Sequence, residues 1–191
     1  VNVEAVGGCP PEIGYSLWTL NETRRRTVNY VRRTDPDTGE VDEISPQALD
    51  LLPQGHRHSV ATLLYHIAVF EMDWLYTDIL GMPEDEERIL PGMPAELHPY
   101  FPYPMLEPGH VFTPVAGEAL QTHLDRLDAG HRAFLDVVST MTLQDFRTPR
   151  RSGDDEVTPE WVVEHLAQHE AEHRGQIWEA RVAAQGELAQ R

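Results

Sequence analysis

Glu164-His165-Leu166-Ala167-Gln168-His169-Glu170-Ala171-Glu172-His173-Arg174-Gly175-Gln176-Ile177 sets histidines four residues apart along what reads as one long helix. At 3.6 residues and 5.4 Å per turn, residues i and i+4 differ by about 40° around the axis and about 6 Å along it. The imidazoles of His169 and His173 can therefore converge on one ion, with a further ligand supplied from elsewhere in the fold. His165 lies about 12 Å along the axis from His173, too far for all three to bind one ion.

The helix is legible without its histidines. Val162, Leu166, His169, His173, Ile177 and Ala180 follow steps of three and four, so the histidine pair falls on an apolar stripe. Thr158-Pro159-Glu160 is a start signal: a side-chain cap, a proline at the first helical position and an acid favoured by the helix dipole. Glu170 and Glu172 read either as solvated acids or as groups that orient a histidine's second nitrogen. Gln176, one turn beyond His173, either reaches the pocket or makes a polar contact between helices. Gly175 costs about 1 kcal/mol relative to alanine in a helix interior, which suggests close approach by another helix.

The chain has 191 residues, 40% of them apolar, enough for one domain spanning 1–191 with a substantial core. A formal charge of −17 opposes nucleic-acid binding, because phosphate recognition needs clustered arginine or lysine. No apolar run approaches the roughly 20 residues that span a bilayer. The single cysteine, Cys9, forms no internal disulfide and fits a reducing compartment, so a cytoplasmic location is expected. The first residue is valine, which leaves open a leader removed before it.

Upstream, Ile13, Leu17, Leu20, Val28 and Val31 predict a first helix near 11–33, with Arg24 interrupting its stripe. Asp35-Pro36-Asp37-Thr38-Gly39 is turn chemistry, so 34–57 is expected as a connection carrying a short helical piece. Leu63, Ile67, Phe70 and Trp74 predict a second helix near 59–80, with His66 at the edge of its stripe and hence the natural third ligand. Leu120, Leu124, Leu127, His131, Phe134 and Val138 predict a third near 114–141, begun by Thr113-Pro114; His131 reads as mainly structural. The fourth is expected near 158–185. Prolines 83, 91, 94, 99, 102, 104, 108 and 114 exclude a regular helix between the second and third. That stretch is either a lid, with Tyr100, Phe101 and Tyr103 as apolar contacts over a pocket, or a connection whose aromatics dock on the helices.

Read literally, His169-Glu170-Ala171-Glu172-His173 matches H-E-x-x-H, the zinc-protease pattern. The metzincin extension needs glycine and histidine where this chain has Gln176 and Glu179. No run of strands stands ready to bind an extended peptide, so a metalloprotease is not expected.

More of the chain fits another pattern. Ser59-Val60-Ala61-Thr62-Leu63-Leu64-Tyr65-His66-Ile67-Ala68, together with the His165–Ile177 segment, resembles the DinB/YfiT-like family over essentially residues 11–185. The resemblance implies an all-α four-helix bundle, here with a long proline-rich insertion at 81–113 between helices two and three. It implies His66, His169 and His173 as ligands of one divalent metal ion, and often a homodimer; Glu170 and Gln176 stay candidate supporting groups on their spacing alone. It also suggests thiol S-transfer, in which a low-molecular-weight thiol attacks a small-molecule electrophile. Metal-dependent hydrolysis and a non-catalytic metal- or small-molecule-binding bundle remain the alternatives. Imidazole suits zinc and nickel alike, and three nitrogen ligands leave at least one coordination position open.

Overall fold

The computed structural model describes residues 4–82, 92–153 and 155–191. Prolines 83 and 91 of the proline-rich stretch lie outside the described residues.

Four long helices carry the fold: α1 (Pro11–Val31), α3 (Val60–Asp73), α4 (Leu120–Val138) and α6 (Pro159–Leu188). Two short ones, α2 (Pro46–Asp50) and α5 (Leu143–Phe146), sit in connections. The chain is thus predominantly helical. α1 packs along α6, α3 along α4, and α3 also meets α6.

α3 occupies the centre. Every residue from Val60 to Asp73 except Phe70 and Asp73 is buried, so its polar members are enclosed along with its leucines. Each fully buried leucine or isoleucine side chain contributes about 1.5–3 kcal/mol relative to exposure, and this helix is anchored on all sides. Ser59 caps its start by accepting the Thr62 N–H at 3.2 Å. Its C-terminal end widens into a π-helical turn over Trp74–Ile79. α6 begins as its sequence signals indicate, with Thr158 Oγ1 accepting the Trp161 N–H at 3.1 Å.

The buried face of α1 runs Ile13, Leu17, Leu20, Arg24, Thr27 and Val31, an unbroken series of three- and four-residue steps. Arg24 therefore continues the stripe rather than interrupting it, and Thr27 rather than Val28 takes the next inward position. Arg24 is 7% exposed and its guanidinium is fully engaged. Nε donates to Glu170 at 2.9 Å, Nη2 to Glu71 at 2.9 Å and Nη1 to the Leu127 carbonyl at 2.7 Å. Glu71 Oε1 lies 2.8 Å from His131 Nδ1, whose Nε2 lies 2.6 Å from Asn21 Oδ1. Burial alone would raise the Glu71 carboxyl, but Arg24 and His131 hold it down to about 2. This network ties α1, α3, α4 and α6 together.

Among the described residues, three two-stranded antiparallel hairpins, absent from the helical reading of the sequence, interrupt the connections. They pair β1 (Arg32–Thr34) with β2 (Val41–Glu43), β3 (Leu106–Glu107) with β4 (Val111–Phe112), and β5 (Arg150–Ser152) with β6 (Asp155–Val157). The first is closed by Asp35, whose Oδ1 accepts the Asp37 and Thr38 N–H groups at 2.9 Å. The expected third-helix start at Thr113-Pro114 is six residues early: α4 begins at Leu120 behind Ala119, and Thr113 is buried instead. Nor does Gly175 mark a helix contact, since a Cβ there would meet nothing within 4 Å. Helices approach instead at Gly130 of α4, where a Cβ would meet Met72 of α3 at 3.4 Å and Phe101 at 3.3 Å.

Among its described residues, the proline-rich stretch holds one 3-10 turn, His98–Tyr100, and the β3–β4 hairpin. Met93, Leu97 and Phe101 are buried in the core. Tyr65 Oη donates to the Tyr103 carbonyl at 2.5 Å, and Arg126 of α4 donates to the Tyr100 carbonyl.

Candidate metal centre

His66 comes from the middle of α3, and His169 and His173 from adjacent turns of α6. Their Nε2 atoms face one another: His66 to His169 at 3.2 Å and His169 to His173 at 3.0 Å. All three candidate ligand nitrogens lie within 4.8 Å of one another, and no other such group of three exists among the described residues. Two nitrogens bound to one zinc at about 2.0–2.1 Å stand roughly 3.3 Å apart in tetrahedral geometry, so both separations suit a shared ion.

Electrostatics keeps these nitrogens available. Burial, with His173, His169 and His58 nearby, pushes the His66 imidazole down to about 2. Burial, with His173 and His165, pushes His169 down to about 3. His173 is lowered by burial as well, opposed by its hydrogen bond to Gln176 and by Glu172 and Glu170. All three are neutral near pH 7, the state in which an imidazole offers a lone pair.

Aromatic rings fix their orientation. Phe112 of β4 stacks on His66 with centroids 3.6 Å apart and planes 12° apart, and Phe70 stacks on His169 at 4.1 Å and 22°. Gln176 Oε1 is 3.0 Å from His173 Nδ1; accepting the Nδ1–H leaves Nε2 unprotonated. His66 Nδ1 is buried without a hydrogen-bond partner among the described residues. Leaving it so costs on the order of 1–3 kcal/mol, whether or not Nε2 binds an ion. An all-imidazole donor set, neutral and preoriented, fits a divalent borderline metal.

The remaining sequence candidates fall elsewhere. Glu170 is 2% exposed, and Arg24 takes its carboxylate away from the imidazoles. His165 stacks on Trp161 at 4.7 Å and 6°, and its ring stands 5.0 Å from Trp74, so it joins an aromatic row rather than the cluster. Tyr100, Phe101 and Tyr103 do not reach the site. The ring that does is Phe112, sandwiched between His66 and His58, with the latter at 4.4 Å. Its hairpin had a sequence signal: Pro108-Gly109 between Leu106 and Val111-Phe112 is turn chemistry flanked by apolar residues. Gly109 (φ 88°) and His110 (φ 59°) both take the left-handed conformation there.

A pocket of about 720 Å³ opens beside His173. Its walls are residues 55–58, which lead into α3, residues 110–112 of the hairpin, and Gln176 and Glu179 of α6, with Leu63 at its base. A family model described as the DinB superfamily matches residues 19–177, which includes all three clustered histidines. The chain belongs to the DinB superfamily. In this DinB-superfamily chain the matched stretch begins in α1, ahead of Arg24, and closes one residue past Gln176. Comparison with curated proteins returns no match. No helix among the described residues is long and apolar enough to cross a membrane.

Proposed function

We propose that the chain is a metal-dependent thiol S-transferase acting on small electrophiles, with His66, His169 and His173 holding one zinc or nickel ion. The observation that carries this reading is the convergence of three neutral Nε2 atoms at the edge of a pocket wide enough for a small molecule. The four long helices are taken as the DinB-type bundle, with 81–113 as its insertion and a homodimer as its assembly.

A divalent ion bound there supplies the positive charge that lowers a thiol's pKa and stabilises thiolate at neutral pH. The chain's residues do the rest. The three imidazoles stay unprotonated, Gln176 holds His173 in the ligating tautomer, and Phe112 and Phe70 exclude water from one face of His66 and of His169. The thiol gives its proton to solvent. Its sulfur lone pair forms a carbon–sulfur bond as the bond to the leaving group breaks, and the leaving group departs with that electron pair.

Elemental analysis of protein purified without added metal tests the first half. A panel of cellular thiols with a chromogenic electrophile tests the second, using metal-free protein and His169→Ala as controls. Metal-dependent transfer with at least one thiol is expected. Ester or amide turnover without transfer would make the protein a hydrolase, and inactivity in both assays would leave a binding bundle.

A further inference from the structure

The segment that carries Phe112 is tied down at its two ends and nowhere between. On its N-terminal side the chain is pinned at Tyr103, whose carbonyl accepts from Tyr65 Oη at 2.5 Å and whose N–H donates to the same oxygen at 3.1 Å. On the other side the Val115 N–H donates to Thr62 Oγ1 at 3.2 Å. Both pins stand on α3, the helix that bears His66. Between them, no hydrogen bond or ion pair among the described residues joins residues 104–112 to the rest of the chain, and β3 and β4 bond only to each other. None of these residues is fully buried, and 107–111 are exposed.

What seats the segment is Phe112, whose ring lies between His66 at 3.6 Å and His58 at 4.4 Å, helped by Met105 against the core. That seat is balanced. Stacking favours it, yet it encloses His66 Nδ1 without a partner, and the two energies are of the same order. A segment with few buried apolar contacts and no polar tie to the body opens at a free energy well below that of global unfolding.

We infer that residues 104–112 form a hinged gate on the metal centre, turning about the Tyr103 and Val115 pins, with Phe112 as its latch. Closed, Phe112 covers a face of His66 and holds the ring for ligation. Open, the ring meets water, and the pocket that has residues 110–112 as one wall widens. The gate stands on packing alone; its control over exchange of an ion rests on the proposed metal reading.

Diethyl pyrocarbonate, which acylates neutral imidazole, reads the gate in metal-free protein, with each histidine followed by mass spectrometry. His66 and His123 are 4% and 1% exposed and burial holds both neutral, so a static structure protects them alike. His66 is expected to react at least about tenfold faster than His123, at a rate that low urea leaves unchanged, because lifting a hairpin exposes little surface. His123 should wait for the larger openings that urea promotes. Phe112→Ala should speed the His66 reaction about tenfold more, the scale of one aromatic stack. Phe112→Tyr should restore the wild-type rate, and Val111→Ala, which trims an exposed neighbour, should change nothing. In zinc-loaded protein, Phe112→Ala should speed zinc loss to excess chelator by a similar factor. A wild type that holds no zinc would remove the metal reading and leave the modification rates to decide the gate. His66 reacting no faster than His123, or with the same urea dependence, or at an unchanged rate in Phe112→Ala, would overturn the inference.

Discussion

Arg24 and Glu170 meet in the core, Nε to Oε1 at 2.9 Å and Nε to Oε2 at 3.1 Å, and Glu170 is the residue that follows the ligand candidate His169. The charge pair therefore sets the rotation of α6 where the imidazoles leave it. Burial works against the Arg24 charge, yet Glu170 and Glu71 hold its pKa above the ordinary arginine value. Replacing it with an apolar residue strands two buried carboxylates. Arg24→Met is expected to cost about 3–5 kcal/mol in urea unfolding. Arg147→Ala, which breaks an exposed pair with Glu160, should cost under about 1 kcal/mol.

Alanine substitutions at His66, His169 and His173 should each sharply reduce bound zinc or nickel, measured by elemental analysis after dialysis. His165→Ala should leave metal content unchanged, because its ring stacks on Trp161 outside the cluster. Wild-type metal content in both His169→Ala and His173→Ala would show that other groups hold the ion.

Gln176→Ala removes the acceptor that fixes the His173 tautomer. Loss of such an outer partner typically lowers metal affinity about 10–100-fold. Competition with a chromophoric chelator should show a drop in that range with unchanged stoichiometry.

Metal-free protein should lose stability on mild acidification. The native pKa values of His66 and His123 lie at about 2 and about 4, each lowered chiefly by burial, against about 6.5 in the unfolded chain. Below pH 6.5 the unfolded state binds protons that the native state refuses, so stability falls as pH falls, by up to about 1.4 kcal/mol per unit for each group. Above pH 6.5 these groups impose no slope. Glu71 acts later: its stabilisation is present above about 4.5 and is lost as pH drops towards 2. Urea midpoints measured at pH 8, 7, 6 and 5 should be level at first and then decline. A midpoint unchanged between pH 7 and 5 would mean that the buried imidazoles protonate freely in the folded protein.

Much of this could be read from residue spacing. The four long helices follow from three- and four-residue steps, and the His66, His169 and His173 cluster follows from one i, i+4 pair plus one histidine on a buried helix. What failed to show were features set by tertiary context. Arg24 sits in phase with the α1 stripe, but a charge at an inward position reads as a break until its partners on α3 and α6 are known. Phe112 lies 46 residues from His66, and no local signal says which of the aromatics in the proline-rich stretch will meet that ring. The hairpins show only through their turn residues, as at Pro108-Gly109, because strands of two or three residues are too short for an alternating pattern to declare itself.

α6 carries on one unbroken rod the partner of Arg24, two of the three clustered imidazoles, Gln176 and Glu179. Each added or deleted residue in a helix turns everything beyond it by about 100°. A single insertion between His173 and Glu179 would swing the pocket wall off its face, and one between Glu170 and His173 would part the imidazoles. Change along this rod must therefore come by replacing side chains at constant length. The turn of the 106–112 hairpin bears no such phase constraint, so a change of length there would reshape the pocket mouth while the three clustered histidines keep their register.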